Sequence, residues 1–209
     1  MPDTPILQSW VDTLSRWGYD SVRTSPLAPI AATALSAVGF NTSQKLTLLE
    51  RTDVGPVAIA QPLRCARPRF PLSRMPSPSK VAAILRIDRA AFGKEWMMDE
   101  QTFREALHAT RRARIFISHN DGELTGFVIA GVTDSYGFIQ RLAVHTDFQR
   151  HGLAGSLVQN SLSWIHSRGC RSTVVNTEVS NDAALSIYKR NGFVSLDYNL
   201  LVMERQLSA

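Results

Sequence analysis

The spacing of apolar residues switches several times along the chain, and each switch marks an element. From Leu7 to Trp17 they recur at helical intervals and stop at Gly18. Asp20 to Thr24 then reads as a strand, Ala31 to Val38 as a helix ended by Gly39-Phe40, and Gln44 to Glu50 as an alternating strand. Six of the ten prolines fall within residues 55–78, where neither a helix interior nor a central strand tolerates them. That stretch reads as a linker, with room for a short edge strand near Arg67 to Phe70. Ser79 is the expected N-cap of a helix with Val81, Ile84 and Leu85 on one face, ending near Phe92-Gly93. Asp99 is placed to cap a second helix carrying Phe103, Ala106 and Leu107.

Arg114 to Ser118 and Leu124 to Val132 read as strands around Asn120-Asp121-Gly122, a turn in which Asp-Gly supplies positive φ. A second turn, Asp134 to Gly137, leads into a third strand, Phe138 to Val144. A helix follows from Gly152 to Ser167, with Leu153, Leu157, Val158, Ser161, Leu162 and Ile165 on its core face. After Gly169 come a strand, a helix, Gly192-Phe193, and a last strand ending at Glu204-Arg205. This order predicts an α/β fold with a mixed sheet and helices on both faces.

The last part of the chain repeats the order of the first. Helix, glycine, strand, helix, Gly-Phe, strand and Glu-Arg occur in both, which points to a half-copy of one fold. Counting back from the Gly-Phe pairs, Leu35 corresponds to Tyr188 and Ala28 to Asn181. The first copy has no glycine-rich loop ahead of its first helix. The expected organisation is a half-repeat over residues 1–54, a Pro/Arg-rich linker over 55–78 and a main domain over 79–209.

Charge narrows the partners. Arg64, Arg67, Arg69, Arg74 and Lys80 lie in one stretch without an acid and equal the whole net charge of +5, so the remainder is neutral. A basic nucleic-acid face spread over the fold is thereby disfavoured. No apolar run approaches the ~20 residues of a membrane span, and the N-terminus does not read as a secretion signal. Cys65 and Cys170 form no metal or redox spacing, and the five histidines show no close metal spacing, so no metal is expected. These features together suggest a cytoplasmic setting.

The candidate chemistry sits in two stretches. In the first, Gln149, Gly152 and Ala154 fill a Q/R-x-x-G-x-G/A pattern between a strand end and a helix start. Small residues let the backbone approach a ligand, and an α-helix N-terminus offers unpaired N–H groups to phosphate. In the second, a strand leads through Asn181 to a helix carrying Tyr188 and a Gly192-Phe193 stop. Together, over roughly Ser79 to Leu207, they resemble the GNAT superfamily of acetyl-CoA-dependent N-acetyltransferases, whose fold has a mixed, mostly antiparallel sheet. A comparable half-domain precedes the catalytic domain in sugar-nucleotide amine acetyltransferases of that superfamily.

The resemblance implies acetyl-CoA as cosubstrate. Its pyrophosphate would meet Gln149, Arg150, His151, Gly152, Leu153, Ala154, Gly155 and Ser156. Its pantetheine arm would follow Leu142, Ala143 and Val144, and Asn181 and Tyr188 would complete the cofactor contacts. Tyr188 is the implied general acid, protonating the departing thiolate. The helix–loop–helix around Trp96 would flank the acceptor. Ribosomal-protein alanine acetyltransferases, close in motif, carry a catalytic Glu five residues before the Asn; here Asn176 stands there, and Asn cannot act as a base. Glu178 lies nearby.

Three functions are consistent with these residues. The leading one is transfer of acetyl to a primary amine, on a protein N-terminus, a lysine or a small amine. The second is a non-catalytic acetyl-CoA sensor. The third is a ribosome- or RNA-associated module using the basic linker. The expected partner is an amine acceptor, protein or small molecule, with no membrane and with nucleic acid disfavoured. An exposed half-sheet edge would favour homodimer pairing.

Overall fold

The structure is a computed structural model describing residues 2–52, 59, 64–66, 76–94 and 96–207. The elements, in chain order, are α1 (Thr4–Arg16), β1 (Ser21–Arg23), α2 (Pro29–Ser36), β2 (Asn41–Thr52), β3 (Arg64–Ala66), α3 (Pro78–Ala91) and α4 (Glu100–His108), followed by β4 (Arg112–Asn120), β5 (Glu123–Val132), β6 (Tyr136–Val144), α5 (Leu153–His166), β7 (Ser172–Glu178), α6 (Asp182–Arg190) and β8 (Val194–Gln206). They divide into two compact units.

The larger unit comprises Glu50–Val175 with Ser186–Val194. Its strands run in the order β7-β6-β5-β4-β3. Pairing is antiparallel except between β6 and β7, as expected of a strand–helix–strand crossover. Asp121 and Gly122, both at positive φ, form the two-residue hairpin loop between β4 and β5. Alternation along the strands gives two buried faces. Ile115, Ile117, Phe127, Ile129 and Ala143 pack on Val81, Ile84 and Ile87 of α3 and Phe103 and Leu107 of α4. On the opposite face Phe116 meets Trp164 of α5 edge to face. There α5 lies so close to β6 that a Cβ on Gly137 would stand 2.2 Å from Ile165 Cγ2.

One irregularity in β6 reorients its second half. Ile129 pairs with Arg141, whereas Ala130 pairs with Ile139, leaving Gln140 as an unpaired bulge residue. The extra residue places Ile139 on the α5 face and Arg141 on the α3 face, although strict alternation would put both on one side.

The other unit comprises Met1–Leu49, Asn176–Leu185 and Ser195–Ala209. Its strand order is β1-β8-β2, with β8 between the two N-terminal strands. Leu7 and Val11 of α1, Ala32 and Leu35 of α2, Val38, Phe40 and Met203 form its core.

Several sequence expectations change in detail. The helix after the linker is capped at Ser77 with Pro78 as its first residue, so Ser79 is not the N-cap. Proline at that position loses nothing, because its missing N–H would be unpaired there anyway. For the same reason α2 starts at Pro29, ahead of Ala31. A short edge strand is found at Arg64–Ala66, while Arg67 to Phe70 lie outside the described residues. Asp99 does cap α4, its carboxylate accepting from Thr102 N–H at 2.8 Å in a capping box.

The helix ends of the two stretches paired by sequence order are alike. Gly39 (φ +78°) and Gly192 (φ +83°) end α2 and α6 in the left-handed conformation. Phe40 N–H donates to Leu35 carbonyl at 3.2 Å, and Phe193 N–H donates to Tyr188 carbonyl at 3.1 Å. Gly18 and Gly169, both at φ +79°, end α1 and α5 in the same way.

Candidate acyl-transfer site

The glycine-rich loop lies between the end of β6 and the start of α5. A short 3-10 turn, Thr146–Phe148, reverses the chain. Gln149 then sends its side-chain amide back to the Val144 carbonyl at 3.1 Å, tying the loop to the strand. Arg150 and Gly152 both adopt positive φ, 68° and 80°. Gly152 is the N-cap of α5, and among the described residues nothing beyond the adjoining chain lies within 4 Å of where its Cβ, or that of Gly155, would sit. Open space therefore faces the helix start.

The N–H groups of Leu153, Ala154 and Gly155 occupy the first turn, where an α-helix has no internal acceptors. Ser156 lies one residue further into the helix. Its N–H closes the first helical turn onto the Gly152 carbonyl at 3.1 Å, so it is already used. Arg150 and His151 are solvent-exposed beside the loop. Such a group of donors, with the helix dipole behind it, suits a phosphate.

Upstream of the loop, Leu142, Ala143 and Val144 pair with Val128, Phe127 and Gly126 of β5. The parallel pairing of β6 with β7 covers Tyr136 to Phe138 and Ser172 to Val174 among the described residues. The later part of β6 thus continues beyond that paired stretch. Ala143 and Val144 are buried.

Tyr188 lies on the inner side of α6, 4% exposed, with its ring edge against Phe193 at 5.5 Å. Burial disfavours the phenolate and pushes its pKa far above the ordinary tyrosine value. The group therefore keeps its proton at any physiological pH, the state a proton donor needs. Asn181 caps α6, its side-chain oxygen accepting from Ala184 N–H at 3.0 Å. In the matching position Ala28 caps α2 with no side-chain bond, and Leu35 is plain core. Asn176 is exposed, and the half-buried Glu178 accepts a hydrogen bond from the Gln44 amide.

Asp88 and Arg141 did not stand out in the sequence. Asp88 is fully buried within α3, and Arg141 projects from the bulged part of β6. Arg141 Nε and Nη2 meet the two Asp88 oxygens at 2.7 and 2.9 Å. The signal was an acid on the same helical stripe as Val81, Ile84 and Leu85, facing a base within an apolar strand. The bulge that brings them together has no signature in residue alternation.

A family model described as the acetyltransferase (GNAT) family matches residues 81–193, more than half of the chain. The chain belongs to that family. N-alpha-acetyltransferase 30 of Schizosaccharomyces pombe is 42% identical over 57 residues, 27% of this chain and 38% of that protein. The match thus spans about two-fifths of this relative's length. Two solved structures are alike in fold. A tandem GNAT protein from the clavulanic acid biosynthesis pathway aligns with TM-score 0.72 and 14% identity, over 98% of this chain and 70% of the other. The ribosomal-protein-S18-alanine N-acetyltransferase of Escherichia coli aligns with TM-score 0.53 and 22% identity, over 63% of this chain and 90% of the other.

Proposed function

We propose that the protein transfers acetyl from acetyl-CoA to the α-amino group of a protein N-terminus. The observation that carries this reading is the left-handed Gly152, with open space over the N-terminus of α5 and three first-turn N–H groups there. Those donors fit a pyrophosphate. The short match to an N-alpha-acetyltransferase supports an N-terminal acceptor, and the acceptor's chemistry agrees. An α-amino group, with pKa near 8, supplies its neutral form at physiological pH far more readily than a lysine near 10.4. Without a carboxylate at Asn176, that difference favours the α-amine.

The residues would divide the work as follows. Leu153, Ala154 and Gly155 hold the pyrophosphate, flanked by Arg150 and His151. The Gln149 bond to Val144 fixes the distance from the loop to the strand. The backbone of Leu142 to Val144, beyond the parallel pairing, lines the pantetheine arm. The neutral amine attacks the thioester carbonyl carbon, a C–N bond forms and the C–S bond breaks. The sulfur leaves as thiolate and takes the Tyr188 proton, the new amide nitrogen loses one proton to solvent, and Tyr188 takes one back from solvent to close the cycle. Asn181 acts here as the cap of the helix that carries Tyr188. The N-terminal half-repeat, lacking a glycine-rich loop and carrying Leu35 and Ala28, serves as packing structure and binds no acetyl-CoA.

Titration calorimetry with acetyl-CoA tests the reading. Wild-type protein is expected to bind one equivalent per chain, and Gly152→Val to lose binding while its circular dichroism is unchanged. A Gly152→Val protein with wild-type affinity would remove the loop from the site.

A further inference from the structure

A buried ion pair ties the connection between α3 and α4 to β6. Asp88 is fully buried, and the Arg141 side chain is 17% exposed. Arg141 donates to both Asp88 oxygens and also to the Trp96 carbonyl. Its guanidinium lies 3.4 Å from the centre of the Phe92 ring, which closes α3. Asp88 in turn accepts from Met98 N–H at 2.6 Å. The pair therefore grips the connection at Phe92, Trp96 and Met98. All three lie within seven residues, and two of the bonds go to backbone.

A buried ion pair is a poor way to gain stability. The desolvation of two charges offsets most of their attraction, and apolar replacements of similar volume are often as stable. What it supplies is geometry: a planar, two-pronged contact that fixes orientation. The strand end being fixed is the one that continues into Leu142, Ala143 and Val144, the backbone assigned above to the pantetheine arm. Trp96 is half-buried and Met97 exposed, on the segment whose backbone Arg141 holds.

We propose that Asp88 and Arg141 are positioning residues that set the α3–α4 connection as the wall against which the amine acceptor docks. This rests on the acetyl-transfer reading of the β6 strand. The bulge at Gln140 is what makes the device available, since it turns Arg141 to the α3 face. The pair touches neither reacting atom; it acts through the placement of Phe92, Trp96 and Met98. Its loss should raise the acceptor KM while leaving acetyl-CoA binding and kcat near their wild-type values.

The test uses the full chain with the paired replacement Asp88→Leu/Arg141→Met and the single Arg141→Lys. Acceptors are a pool of short peptides with free α-amino groups and every common residue at position one. In the double variant the acceptor KM is expected to rise about 10- to 100-fold, the cost of a small misplacement. Its melting temperature and its acetyl-CoA affinity by calorimetry should stay near wild type. Arg141→Lys keeps the charge without the fork and should fall between the two. Hydrogen exchange gives a readout independent of turnover: Trp96 and Met98 amides should exchange faster, with Leu157 to Leu162 unchanged. A folded double variant with wild-type KM, or with unaltered exchange at Trp96 and Met98, would overturn the proposal. A wild-type protein that binds no acetyl-CoA would instead overturn the acetyl-transfer reading itself.

Discussion

Tyr188 is protonated, and the burial that keeps it so also makes the phenol a weaker acid, so it donates only to a thiolate formed directly beside it. Tyr188→Phe retains the ring and its contact with Phe193 while deleting the proton. Turnover should fall by about ten- to ten-thousand-fold, with acetyl-CoA affinity little changed, as initial rates and calorimetry would report. Full activity would leave Tyr188 a packing residue. Because the phenol pKa is raised, the pH–rate profile should show no loss from tyrosine ionisation at about pH 10, where a free phenol titrates. Between about pH 7 and 9 the rate should rise as the acceptor α-amine loses its proton. A falling alkaline limb that disappears in Tyr188→Phe would contradict this. The glycine-rich turn before α5 and the capped helix that carries Tyr188 were legible from the sequence because each has a short backbone signature. The engagement of the Ser156 N–H by Gly152 was not, since it depends on which residue starts the helix.

The elements themselves were legible wherever periodicity and punctuation agreed. The β4–β5 hairpin, the α4 capping box and the Gly39 and Gly192 helix ends all follow from short motifs with fixed backbone demands. Two features escaped. The start of α3 moved to Ser77-Pro78 because proline is as good a first residue as serine is a cap, and the sequence offered both. The β6 bulge arises from tertiary packing on either side of the sheet. Gly137 makes the packing side testable. A methyl there would meet Ile165 at 2.2 Å, so Gly137→Ala should destabilise by about 1–3 kcal/mol, the range for overpacking. Urea unfolding would measure it, and Ile165→Ala, which removes Cγ2, should cost less stability in the Gly137→Ala background than in wild type. At the other helix, Asn181→Ala removes the cap of α6 and should cost about 1 kcal/mol, whereas Asn181→Asp should retain most of the stability.

For the whole molecule, α2 and α6 end alike at Gly39 and Gly192, while the C-terminal strand β8 lies between β1 and β2. Sequence order suggested a half-repeat; it could not indicate that β8 lies between the two N-terminal strands. Removing residues 1–53 would strip both neighbours from β8 and leave two open edges. The truncated chain is expected to aggregate, which sedimentation would reveal; a soluble, fully active truncation would make the half-repeat dispensable. The central claim, that this fold moves acetyl from acetyl-CoA to a free α-amine, is tested most directly by thiol release. Acetyl-CoA is incubated with the full-length protein and the peptide pool, alongside the same peptides blocked at the α-amine. Thiol release that requires the free amine, with the peptide gaining one acetyl mass at its N-terminus, is the predicted result. Binding of acetyl-CoA with no release above the blocked control would contradict it and leave a sensor in its place.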